Sequence, residues 1–179
     1  MQNTDQQYNH AISLCKDIFL KKMKDYGTAW RNLRPRSLTD QIFIKAQRIK
    51  SIEEKGTQKI KDDIKGEYIG IINYCAIALI QLELGNDTRM DVPYDEVAGL
   101  YLKYLDQTKK LMEDKNHDYG EAWRDMRISS LTDLILMKIL RVKQIEDNKG
   151  QTLASEGIKA NYQDMLNYAV FALIKLDVK

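Results

Sequence analysis

Asn161, Asp164, Asn167 and Tyr168 follow one another at spacings that bring them to one broad face of a helix. The residues around them, from Met165 through Leu166, Ala169, Val170, Phe171, Ala172, Leu173 and Ile174, are apolar almost all round, the pattern of a helix buried on most sides. A carboxylate on such a helix is costly unless a cation, a metal or hydrogen-bond donors meet it. Two chemistries fit Asp164. It would bind Mg²⁺ (or Mn²⁺), with Asp133 and Glu156 as further acidic ligands, because magnesium takes a few carboxylate oxygens together with water and substrate phosphate. Or it would pair with a lysine or arginine of a neighbouring helix in a buried network.

The cations for either role stand on the preceding helix. Lys138 and Arg141 lie one turn apart among Leu134, Ile135, Leu136, Ile139, Leu140 and Val142. They suit a buried carboxylate, a bound phosphate, or simple snorkelling of long side chains from the rim. Tyr119 and Trp123 offer flat faces for a base or pterin ring, with Arg124 and Arg127 for phosphates. The same residues also suit a turn with a core anchor. Asp133 has a second reading: three residues after Ser130, it completes a capping box, as Asp40 does after Ser37. Glu53-Glu54 and Glu146-Asp147 close helices and are expected to be solvated. Their opposition to the helix dipole makes a partner worth looking for.

The elements that must position these groups come from a duplication. Asp25-Tyr26-Gly27-Thr28-Ala29-Trp30-Arg31 returns as Asp118-Tyr119-Gly120-Glu121-Ala122-Trp123-Arg124, and Ser-Leu-Thr-Asp follows both copies. The register holds from Asp25 and Asp118 through Glu53 and Glu146. One extra residue near Asn148 then shifts it, so that Gly56 meets Gly150 and Asn73-Tyr74 meets Asn167-Tyr168. Apolar periodicity predicts helices from about Thr4 to Lys24, Ser37 to Glu54, Lys61 to Leu84, Tyr94 to Asn116, Ser130 to Asp147 and Thr152 to Leu176. Arg31 to Arg36 reads as a short basic segment broken by Pro35. The predicted fold is all-α: a helical bundle of two tandem repeats of about three long helices each. Residues 1–86 form the first repeat, 87–93 a linker and 94–179 the second, with the two halves packing as one domain. The halves differ where it matters most: Gly70 stands in place of Asp164, and Glu67 in place of Asn161. A metal site at that position is therefore single and belongs to the second half, leaving the first as scaffold or substrate wall.

Composition bounds the function. The chain has 179 residues, 44% hydrophobic and 30% charged, with formal net charge +2. That balance belongs to a globular protein and lacks the strongly basic footprint of a nucleic-acid binder. Cys15 and Cys75 have no metal or redox spacing, which points to a reduced, cytoplasmic setting. The N-terminus has no signal pattern, and no apolar run approaches the roughly 20 residues that span a bilayer. No phosphate-cradling glycine loop, nucleophile elbow or zinc pattern is present.

The words Asn116 to Arg124, Leu131-Thr132-Asp133 through Lys138 and Arg141, and Asp164-Met165-Leu166-Asn167-Tyr168 resemble the nucleotide modification associated domain 1 family, with a weaker copy in the first half. That resemblance implies a role in nucleotide metabolism. The layout is also similar to the all-α, MazG-like nucleoside triphosphate pyrophosphohydrolases, which hold Mg²⁺ with carboxylates on two helices. Their Glu-x-x-Asp element falls on Asn161-Tyr162-Gln163-Asp164, with asparagine at the glutamate position.

Together these lines lead to a Mg²⁺-dependent hydrolase that splits a nucleoside or related pterin triphosphate into monophosphate and pyrophosphate. Asp164 and Lys138 would be central to catalysis. Asp164, Asp133 and Glu156 would hold the metal, and Tyr119, Trp123, Arg124, Arg141, Asn161, Asn167 and Tyr168 would bind substrate. The alternative is a non-catalytic nucleotide-binding or assembly module in which Asp164 pairs with Lys138 or Arg141. Either way the expected partner is a small-molecule nucleotide rather than nucleic acid or membrane, and homodimerisation stays open.

Overall fold

A computed structural model describes residues 3–57, 63–153 and 156–177. Among them the regular structure is helical: α1 (Thr4–Tyr26), α2 (Pro35–Lys55), α3 (Ile64–Leu84), α4 (Tyr94–Tyr119), α5 (Ile128–Asp147) and α6 (Ile158–Asp177). A short 3₁₀ turn precedes α2 at Ala29–Asn32, and another precedes α5 at Ala122–Asp125. Each repeat supplies three long helices, as the sequence pattern predicts.

Three boundaries differ from expectation. Helix α2 opens at Pro35, whose fixed φ and missing N–H suit the first helical position, so Pro35 starts a helix instead of breaking a segment. Ser37 and Ser130 lie inside the first turns of α2 and α5, after Arg34 and Arg127 at the N-cap positions, which carry no side-chain cap. The Ser37–Asp40 and Ser130–Asp133 capping boxes therefore do not form. Helix α6 begins at Ile158 rather than near Thr152. The predicted start of α3 near Lys61 falls outside the described residues.

Helices α3 and α6 form the centre of the bundle, and α2, α5, α1 and α4 pack around them. Ile71, Ile72, Cys75, Ala76 and Ile80 of α3 and Met165, Leu166, Ala169, Val170, Ala172 and Leu173 of α6 are fully enclosed. Against the expectation that no apolar run reaches bilayer-spanning length, helix α3 is long and apolar enough to cross a membrane by length and composition. Here its apolar surface is spent on the core of the bundle.

The two halves are joined by polar exchanges that obey the repeat. Asn73 donates to the Cys15 carbonyl of its own repeat at 3.1 Å and accepts from Tyr101 of the other at 2.8 Å. Asn167 donates to the Thr108 carbonyl at 3.1 Å and accepts from Tyr8 at 2.8 Å. Phe19 stacks on Tyr101 across the same boundary, with ring centroids 4.2 Å apart. Each half thus completes the other's buried hydrogen bonds.

The connection between repeats is latched rather than loose. Arg31 donates to the carbonyls of Arg89 and Asp87, Thr28 donates to the Met90 carbonyl at 2.8 Å, and the Val92 N–H returns to the Thr28 hydroxyl at 3.1 Å. Arg31 is thereby committed to structure.

Candidate functional site

Asp164 is buried at 5% exposure, and both of its oxygens are taken. Lys138 of α5, itself buried, donates to Oδ2 at 2.9 Å. Lys115 of α4 donates to Oδ1 at 2.7 Å. Burial opposes the charge on Lys115, but the hydrogen bond and charge of Asp164 outweigh it and hold the ammonium above its ordinary range. Tyr168 adjoins this group, and burial followed by the Asp164 charge raises its phenol. Lys115 is the member that sequence reasoning missed. Its only signal was its alignment with Lys22 on the preceding helix of the other repeat.

The three acidic residues expected to share a metal do not converge. Asp133 is exposed on α5 and its charge is felt by Glu53, while Glu156 is exposed on the segment before α6, where it acts on Lys115 and Tyr168. Among the described residues no three His, Cys, Asp or Glu side chains gather in a way that would hold a metal ion. A divalent cation at Asp164 would also face two ammonium groups. As arranged, these residues do not fit a magnesium ion.

The proposed ring and phosphate contacts of the second half are largely absorbed by structure. Asn161 donates to the Gly157 carbonyl at 2.8 Å and Asn167 is spent on Tyr8 and Thr108. Trp123 is buried, with its ring flat against Phe171 at a centroid distance of 4.3 Å. Its indole N–H is buried without a partner. Arg124 lies over that indole at 4.4 Å and donates to Glu121 at 3.0 Å, Thr4 at 2.6 Å and Gln7 at 2.7 Å. Tyr119 points to solvent at 73% exposure, and Arg141 is exposed.

An open cleft lies instead in the first repeat. It measures about 630 Å³ and is lined by residues that include Lys22, Tyr26, Trp30, Lys45, Gly70 and Tyr74. That size is within the roughly 300–1,000 Å³ of small-molecule pockets. Helix α1 supplies Lys22, the 3₁₀ turn supplies Trp30, α2 supplies Lys45, and α3 supplies Gly70 and Tyr74. Lys45 lies across Gly70, and its Nζ sits 5.8 Å from the centre of the Tyr74 ring. Glu67 takes a 3.0 Å hydrogen bond from Arg48 and a longer 3.6 Å ion pair from Lys45. The cleft thus sets aromatic walls beside two lysines, of which Lys45 also pairs with Glu67.

The family model for nucleotide modification associated domain 1 matches residues 22–82 and 115–176, more than half of the chain. The protein belongs to this family. The two matched segments are its tandem copies, and they contain both the first-repeat cleft, save its α1 wall at Ile18 and Phe19, and the Asp164 cluster. No curated protein and no solved structure matches the chain. Nothing in these comparisons connects it to the MazG-like pyrophosphohydrolases.

In both domain copies, a second polar cluster escaped the sequence reading. Thr39 contacts Glu146 at 3.0 Å and Tyr162 at 2.9 Å, and Thr132 contacts Glu53 at 2.9 Å and Tyr68 at 2.7 Å. Glu53 and Glu146 are therefore not solvated helix ends: each reaches a threonine of the other copy. Burial raises both carboxyls above their ordinary range, against the lowering effect of the threonine hydrogen bonds. Glu146 Oε2 is buried without a partner, which adds to the cost of ionising this carboxyl.

Proposed function

We propose that this protein is a nucleotide-binding module of nucleotide metabolism, acting in the cytoplasm by holding its ligand rather than by hydrolysing it. The observation that carries this reading is the cleft of the first repeat, with Trp30, Tyr26 and Tyr74 beside Lys22 and Lys45. Rings stack on such walls and phosphates pair with such lysines. The Asp164 carboxylate, the candidate metal ligand, is already satisfied by Lys115 and Lys138. Hydrolysis through Asp164 would require both lysines to let it go.

The test is titration calorimetry with deoxynucleoside and ribonucleoside triphosphates, their monophosphates and dihydroneopterin triphosphate, paired with a pyrophosphate-release assay in Mg²⁺ or Mn²⁺. Saturable binding without turnover is the expected result. Turnover that disappears in Asp164→Ala would replace this reading with the hydrolase.

A further inference from the structure

The two repeats treat one set of positions in opposite ways. Lys22, Trp30, Lys45, Gly70, Tyr74 and Ile77 around the first cleft correspond to Lys115, Trp123, Lys138, Asp164, Tyr168 and Phe171. In the second repeat the gap between the lysines is filled by the Asp164 carboxylate, at 2.7 and 2.9 Å. The tryptophan face is filled by Phe171, parallel to within 4°. In the first repeat both fillers are gone. Gly70 has no side chain, so Lys45 lies across it with only a long 3.6 Å ion pair to Glu67; Ile77 has no ring, Trp30 lines the cleft, and Lys22 is exposed with no ion-pair partner among the described residues.

We infer that the second repeat carries, in Asp164 and Phe171, a built-in copy of the ligand that the first repeat takes from solution. The ligand's anionic group sits between Lys22 and Lys45, and its planar ring lies on Trp30. This inference rests on the nucleotide-binding reading above and narrows it. Asp164 and Phe171 are seven residues apart on one helix, a separation of roughly 10 Å along the axis. A base joined through its sugar to a chain of phosphates spans that length with its β- or γ-phosphate, so the ligand class is a nucleoside di- or triphosphate. The site is single, because the second copy is closed by its own side chains.

Gly70→Asp tests the inference directly. A β-carbon there meets only Lys45 Cδ and Cε at 2.8 Å and its Nζ at 3.1 Å, the far end of a flexible side chain. Lys45 can swing aside and pair with the new carboxylate as Lys138 pairs with Asp164. The variant should fold, with a melting temperature at or above wild type, and bind deoxynucleoside triphosphate about ten-fold or more weakly, since a fixed carboxylate now competes for the lysines. Gly70→Asn, which fills the same space without charge, should lose less. Inorganic tripolyphosphate serves as the ring-free probe. Nucleotide binding that Gly70→Asp leaves unchanged would overturn this inference while leaving nucleotide binding intact. Tripolyphosphate binding that Gly70→Asp abolishes, without any nucleotide preference, keeps the anion site and removes the ring and the nucleotide reading. No saturable binding of either probe overturns both.

Discussion

Lys138 and Asp164 make the most enclosed ion pair among the described residues, 2.9 Å apart with side-chain exposures of 9% and 6%. Neither charge is tolerable alone in that position. Removing one partner of a buried pair costs about 3–5 kcal/mol, whereas replacing both with apolar side chains of similar volume is close to neutral. Asp164→Asn should therefore destabilise the protein by about 3 kcal/mol, with or without metal in the buffer. Asp164→Leu combined with Lys138→Met should recover most of that loss. Urea unfolding followed by circular dichroism measures both. Wild-type stability in Asp164→Asn would show that the pair is not structural.

The exchanged asparagines make the halves interdependent. Tyr101→Phe leaves the Asn73 carbonyl oxygen without its buried donor, and Tyr8→Phe does the same at Asn167. Each should cost about 1–3 kcal/mol, the penalty for an unsatisfied buried polar group. For the same reason a chain of residues 94–179 alone should fail to give a cooperative thermal transition. A sharp, reversible melt from that fragment would contradict the shared core.

Glu53 and Glu146 give the protein a distinctive pH response. Both carboxyls are raised above the ordinary 4.5 in the folded state, chiefly by burial. The folded chain then holds more protons than the unfolded chain just above pH 4.5, so these groups support folding below that pH and lose the contribution as pH rises through their folded values. Glu146→Gln should raise the melting temperature at pH 7 relative to wild type and narrow the difference at pH 4.5. Differential scanning calorimetry at the two pH values decides it, and a larger gain at the acidic pH would reverse the sign argued here.

The two tryptophans should report separately. Trp123 is 6% exposed under Phe171 and Arg124, while Trp30 lines the open cleft. In Trp123→Phe the emission should be red-shifted and quenched by acrylamide, and in Trp30→Phe blue-shifted and protected. Equal quenching of the two variants would mean that the cleft is closed in solution.

Much of this was legible in the chain. The duplication, the six helices and the central burial of α6 follow from repeated words and from apolar periodicity, because a helix with no polar face has to be enclosed. The need of Asp164 for a cation on the neighbouring helix followed from the cost of a buried charge, and Lys138 was among the partners the spacing offered. Lys115 was not legible, since a lysine near the polar C-terminal end of amphipathic α4 looks like any solvated residue until α4 is laid beside α6. The capping boxes failed because Pro35, and the matching position Ile128, start their helices earlier than the serines do.

What the sequence determined by itself was the asymmetry: glycine at 70 against aspartate at 164, isoleucine at 77 against phenylalanine at 171. It could not say which side of that asymmetry was open, because an acidic residue invites a metal and a glycine invites nothing. Only the packing of α1, α2 and α3 around Gly70 decided that the first repeat keeps a cleft. In the second, a carboxylate held by two lysines and a ring laid on a tryptophan occupy the corresponding space. The physical reason is that a cavity is a property of what neighbouring helices leave unfilled, and that is settled between elements rather than along any one of them.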